Sequence, residues 1–185
     1  MYYKIRWYHG VFRPLVLSYF FICEVDMRKF EKVSRDVFER DIPDGNYDEL
    51  ILPKRGTKYS AGYDFYSPIS FTLMPGERKV IPTGIKVCME DNEFLAIYVR
   101  SSLGFKWDVR MCNQVGIIDA DFYNNADNEG HMWFALQNHG DKAFVVKKGQ
   151  GFGQGIFMKY YTVDDEEEVE SERTGWSGKP DERGK

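Results

Sequence analysis

The chain has 185 residues, of which 43% are hydrophobic, 16% aromatic and 29% charged, with a formal net charge of −4 at pH 7. That length supports one domain with a sizeable core plus arms and is short for two. The acidic balance argues against broad binding to nucleic acid or to an anionic membrane, while leaving room for a local basic pocket that takes a phosphate. Cys23, Cys88 and Cys112 lack metal-site spacing and cannot all pair within one chain, which points to a reducing, cytoplasmic setting.

Residues 1–26 read as an extension of unclear role. The apolar run at 11–23 is broken by Arg13 and Pro14 and falls short of the ~20 residues a membrane helix needs. Lys4 and Arg6 lie upstream as in an export signal, but no small-x-small cleavage pattern follows. Met27 offers an alternative start. Over 27–40, Phe30, Val33 and Val37 recur at helical spacing among charges. One short amphipathic helix is expected there, packed on the body within a helical lead-in at 27–49.

From Leu50 onward the pattern changes to strands and turns. Apolar runs at 71–74, 85–89, 95–99, 131–136, 143–146 and 156–161 are separated by Gly, Pro and Asn, and a polar loop follows 95–99. Short strands at such intervals predict an all-β sandwich or barrel over 50–163, of jelly-roll type. The acidic run at 164–168 reads as a solvated linker. Beyond it, Arg173 and Trp176 on a Gly-rich segment suggest a flexible C-terminal arm at 164–185 that closes on something.

Four stretches carry candidate chemistry. Asn113 through Phe122 opens with an amide, runs through apolar residues a sheet would bury, and then presents Asp119 and Asp121. Alternation sends Ile118 and Asp119 to opposite faces, so Asp119 can meet a pocket as a base; the same residue types also suit an ordinary turn. Arg100-Ser101-Ser102-Leu103-Gly104 combines a guanidinium, two hydroxyls and a glycine, which suits close approach to an oxyanion. Gly149 through Gly155 looks like a Gly-rich phosphate loop but lacks a Gly-Lys-Ser/Thr ending and a following helix, so a hairpin presenting the Gln154 amide is expected instead. Ala61-Gly62-Tyr63-Asp64-Phe65 reads alone as a turn entering a strand.

Together and in this order, these stretches resemble the five motifs of the trimeric dUTP diphosphatase (dUTPase) family, over about residues 54–178. The 61–65 stretch resembles the first motif, 100–104 the second, 113–122 the third and 149–155 the fourth; 173–178 resembles a shortened fifth. The resemblance implies a jelly-roll-like domain that hydrolyses dUTP to dUMP and pyrophosphate, with Asp119 deprotonating the water that attacks the α-phosphorus. It implies that Asn113 hydrogen-bonds the uracil edge, with backbone near Gly116 and Ile118 discriminating uracil from cytosine. Phe122 stands where tyrosine usually packs on the deoxyribose. Arg100, Ser101, Ser102, Gly104, Gln154 and Arg173 would contact the nucleotide, Trp176 would cap the base, and Asp64 would hold water on Mg²⁺. A homotrimer with inter-subunit sites is implied as well.

The chain departs from the family pattern at two motifs. Gln150-Gly151-Phe152-Gly153 replaces the acidic residue, arginine and small apolar residue of the fourth motif. The fifth, Gly175-Trp176-Ser177-Gly178, is about one residue short, and a polar loop is inserted at 124–129. A dCTP deaminase of the same fold would need a glutamate where this chain has Ala135, and alanine moves no proton. A regulatory protein that kept the fold after its arm decayed is the alternative of another class.

Overall fold

The computed structural model describes residues 28–167 together with 169, 171, 173 and 175; the expectations for 1–26 and for Trp176 lie outside them. Strands dominate. β1 (Lys29–Lys32) pairs with β6 (Ile85–Cys88), and β11 (Phe144–Val146) with β4 (Phe71–Leu73). β5 (Arg78–Pro82), β10 (Trp133–Asn138) and β8 (Val109–Met111) form a third sheet in that order. The largest runs β2 (Lys54–Arg55), β3 (Tyr63–Tyr66), β12 (Gly151–Lys159), β7 (Glu93–Val99), β9 (Gly116–Asp119), with every junction antiparallel. The sheets stay open, so of the two expected all-β forms the sandwich of jelly-roll type is the one observed.

Period-two alternation puts Phe134 and Leu136 of β10, Leu95 and Ile97 of β7, and Phe65 of β3 into one buried core. Phe134 sits at its centre, 5.3 Å from the Phe65 ring and 5.0 Å from the Phe152 ring. β12 faces this cluster with glycines. A Cβ at Gly153 would fall 2.3 Å from the Phe134 ring, and one at Gly155 3.0 Å from Phe65. The expected Gly-rich hairpin at 149–155 is therefore a turn feeding a long strand, whose glycines make room for rings.

Two helical expectations change. The single helix predicted over 27–40 is instead β1 followed by α1 (Arg35–Asp41). Phe30 is held in the strand by rings of Tyr63, Phe65 and Phe157 at 5.3, 5.7 and 5.5 Å. Ser34 then starts the helix as N-cap, its Oγ accepting from Val37 N at 3.2 Å. Strand and helix face the same core, which is why Phe30, Val33 and Val37 mimic one helical stripe. The loop expected after β7 contains α2 (Ser101–Trp107), anchored by buried Leu103 and ended by Asp108 at φ 50°.

Candidate active site

β7 organises the candidate residues by its register. At its first end, Phe94 pairs with Asp119 of β9. At its last end, Val99 and Tyr98 pair with Gly153 and Gln154 of β12, Gln154 pairs in turn with Asp64 of β3, and Arg100 follows directly. From Phe94 to Arg100 is six residues, roughly 20 Å at a strand's rise. Asp119 and the Arg100–Gln154–Asp64 group thus occupy opposite ends of one sheet. Both look outward, because alternation puts Asp119 and Gln154 on the face away from Leu95 and Ile97. Between them that face carries Ile117, 53% exposed, and level with Asp119 across β7 it carries Met158, 42% exposed.

At the first end, Ile118 packs on the core while the Asp119 side chain is 47% exposed. Gly116 is needed upstream, since a Cβ there would fall 2.5 Å from Ile97. A short 3₁₀ turn, Ala120–Phe122, follows Asp119 and buries Phe122. Arg173 reaches back to this turn: Nη2 donates to Asp119 Oδ2 at 2.5 Å, Nε donates to Asp121 Oδ1 at 2.8 Å, and the guanidinium lies 5.9 Å from the Phe122 ring centre. Asp121 is the residue sequence reasoning left without a role. Its spacing, two after Asp119, was the available signal.

The inserted loop behind the turn is firmly tied. Asn125 and Asn128 are buried, and Asn125 Nδ2 donates to Phe122 O at 2.8 Å and to Asn128 Oδ1 at 2.9 Å. Glu129 accepts from Ser34 N at 2.9 Å, and Lys86 donates to Asn124 at 2.7 Å. The Tyr123 hydroxyl donates to Glu31. Burial first, then this carboxylate, push the Tyr123 phenol up to about 12. His131 closes the bracket: its Nε2 accepts from Gly84 N and its Nδ1 meets Asp41, both at 2.8 Å.

At the second end, Arg100 bridges Asp64 at 3.2 Å and donates to Gly151 O at 3.4 Å. Two glycines make space for these long side chains. A Cβ at Gly151 would meet Arg100 at 2.7 Å, and one at Gly62 would meet Gln154 Oε1 at 2.5 Å. The Gln154 amide donates to Val99 O at 3.2 Å. Ser101 and Ser102 are exposed on the first turn of α2, whose N-cap has no side-chain hydrogen bond, and Gly104 is open to the surface. Asn113 is exposed in the β8–β9 turn, beside Gln114 at φ 61°.

Among the described residues, no cluster of three His, Cys, Asp or Glu side chains suits a metal. Asp64 alone offers a carboxylate here, shared with Arg100. That donor set fits a hard cation taking most of its ligands from phosphate and water. Surface clefts of about 300 Å³ beside Trp107 and about 250 Å³ beside Tyr66 do not include Asp119.

Comparison with known proteins gives this geometry a context. A sequence model of the family described as dUTPase matches residues 48–181. The chain is 45% identical over 130 residues to the deoxyuridine 5'-triphosphate nucleotidohydrolase of Lactococcus lactis, covering 70% of this chain and 87% of that protein. The protein of the same name from Haemophilus influenzae is 33% identical over 141 residues, covering 71% and 89%. The fold is similar to the crystal structure of dUTPase from Streptococcus mutans, with TM-score 0.62 and 35% identity over 73% of this chain and 98% of that one. A β-sandwich with an outward carboxylate and a separate arginine–amide group thus falls in the class of nucleotide hydrolases. Within it, the chain belongs to the dUTPase family.

Proposed function

We propose that the protein hydrolyses dUTP to dUMP and pyrophosphate as a homotrimer, with Asp119 of one copy and Arg100, Ser101, Ser102, Gln154 and Asp64 of the next around each nucleotide. The observation that carries this reading is the separation of Asp119 from the Arg100–Gln154–Asp64 group along β7. A general base must come within hydrogen-bond reach of its water, and phosphate donors within similar reach of the same nucleotide. One copy holds these groups roughly 20 Å apart. A second copy packed on the apolar stretch around Ile117 would bring its own phosphate end to Asp119.

Asp119 takes the proton of the attacking water, and its partial exposure leaves it free to do so once a phosphate competes for Arg173. Asn113 and backbone around Gly116 and Ile118 read the base, and the Phe122 ring limits space at the sugar. Gly104 lets the nucleotide approach the backbone of α2. Mg²⁺ bound to the triphosphate, with its waters held by Asp64, would supply neutralisation of phosphate charge. The substrate suits a cytoplasmic enzyme. Among the described residues no helix is long and apolar enough to cross a membrane.

The test is pyrophosphate release with Mg²⁺ from dUTP, dCTP, dTTP and UTP by wild type and Asp119→Asn. The expected result is selectivity for dUTP and a loss of about 10²–10⁴ in the variant. Equal rates in both proteins, or a monomer on gel filtration at working concentration, would refute the reading.

A further inference from the structure

The guanidinium at the phosphate end is already shared, since Arg100 lies 3.2 Å from Asp64, and residues 150–153 bring no cation. We propose that Lys54 is a further substrate-binding residue, whose ammonium takes the outer phosphates of the nucleotide beside Arg100, Asp64 and Gln154 of the same copy. This rests on the hydrolase reading above and names one more group of that site.

Strand register places the lysine. β2 pairs with β3 so that Lys54 stands opposite Asp64, and Asp64 in turn stands opposite Gln154 of β12. Residues paired in this way share a face. Lys54, Asp64 and Gln154 therefore form a row across three strands on the outward face, with neighbouring backbones roughly 5 Å apart, while Phe65 turns the other way into the core. The Lys54 ammonium lies 5.7 Å from the centre of the Tyr66 ring, a cation–π distance. Tyr66 pairs with Gly151, whose carbonyl accepts from Arg100 at 3.4 Å. Burial first and then Asp64 push the Tyr66 phenol up, and Arg100 draws it down, so the ring that holds the lysine feels both members of the Arg100–Asp64 pair. Gly56 keeps the following backbone close to the same group, for a Cβ there would lie 3.8 Å from Asp64 Oδ2.

Lys54 is also a cation without a counter-charge. Lys148 is bound to Glu49 at 2.7 Å, and Arg55 donates to Lys58 O at 3.0 Å. Among the described residues no carboxylate lies within ion-pair distance of Lys54, which is exposed. A lysine is a point charge on a flexible stem, so it can leave the Tyr66 ring for an incoming phosphate. β2 is the edge strand of the sheet. Lys54 is thus the outermost group of the row and meets the phosphates farthest from the sugar.

Calorimetric titration of full-length chains carrying Asp119→Asn, which hold dUTP without consuming it, tests the assignment. Adding Lys54→Ala should weaken dUTP binding about tenfold, the scale of a charge-assisted bond at an exposed site. Binding of dUMP, which lacks the outer phosphates, should not change. Lys54→Arg keeps the charge and should restore most of the dUTP affinity. Arg100→Ala in the same background should weaken dUTP as well. Equal dUTP affinity with and without Lys54, while Arg100→Ala lowers it, would overturn the proposal and leave the hydrolase reading standing. A parallel loss of dUMP binding, or no recovery in Lys54→Arg, would overturn it too, because either marks a structural role in place of a lost charge. Unchanged dUTP affinity in Lys54→Ala and Arg100→Ala alike would remove the phosphate end itself, and this assignment with it.

Discussion

Substituting Gly153→Ala is expected to unsettle the core and the active site together. The new Cβ would lie 2.3 and 2.6 Å from two carbons of the Phe134 ring, closer than any real contact. The ring cannot swing away, because Phe134, Phe65 and Phe152 are each no more than 1% exposed and pack on one another at 5.0 and 5.3 Å. Overpacking of this kind costs about 1–3 kcal/mol. Removing a glycine from extended backbone returns about 0.5–1 kcal/mol, so a net loss of roughly 1 kcal/mol, and at most about 2.5, is expected. Phe134→Leu removes the colliding carbons and costs on the order of 1–3 kcal/mol by itself. Adding Gly153→Ala to that background should cost nothing further, since the alanine methyl enters vacated space. Urea unfolding of the four proteins at one protomer concentration measures the cycle. Because Gln154 follows Gly153 on β12, kcat/KM should fall in the single Gly153→Ala variant and recover partly in the double. Additive stability losses would refute the reasoning, for then the ring and the methyl do not compete for one volume.

Acid should weaken the fold in a window set by His131. Burial is the main cause of its lowered pKa, partly opposed by Asp41, and Nε2 must be unprotonated to accept from Gly84 N. A base depressed below its ordinary 6.5 in the fold contributes stability that is whole above that value and is lost as pH falls toward the folded pKa. Urea midpoints should therefore drop from about pH 7 to about pH 5, ahead of any carboxylate, and His131→Phe should be less stable and lack this slope. Midpoints in wild type that stay flat over that range would contradict a neutral His131. Gly62→Ala should displace the Gln154 amide from Val99 O and lower kcat/KM about tenfold, with a stability change of only about 0.5–1.5 kcal/mol; unchanged kinetics would mean that Gln154 has no part in binding. Ser34→Ala removes the cap of α1 and should cost about 1 kcal/mol, read as a shift in urea midpoint.

Local pattern made some of this structure legible and long-range contact hid the rest. The runs at 71–74, 85–89 and 95–99 alternate or stay apolar over strand lengths, and β4, β6 and β7 lie within about a residue or two of them. β12 does not read as a strand from its start, because glycines at 151, 153 and 155 signal a loop; the side chains that require them, Arg100, Phe134 and Phe65 in turn, lie far away in sequence. α2 was hidden for a different reason. Two serines at its start and Gly104 in its middle are poor helix formers, and one buried leucine is too little to show a stripe.

The site divides along the same line. Alternation alone turns Asp119 away from Ile118, so its outward face was legible before any contact was known. The company it keeps was not, because that depends on the register of β7, which puts residue 94 beside Asp119 and residues 98 and 99 beside Gln154 and Gly153. The order of motifs along the chain says nothing of this. Motifs next to each other in sequence, such as Arg100 and Asp119, end up at opposite ends of a sheet, while Arg173 meets Asp119 across 54 positions. In the proposed reading β7 holds the base at one end and the phosphate donors at the other, which gives a single copy two half-sites, and only a closed ring of copies leaves no half-site without its complement.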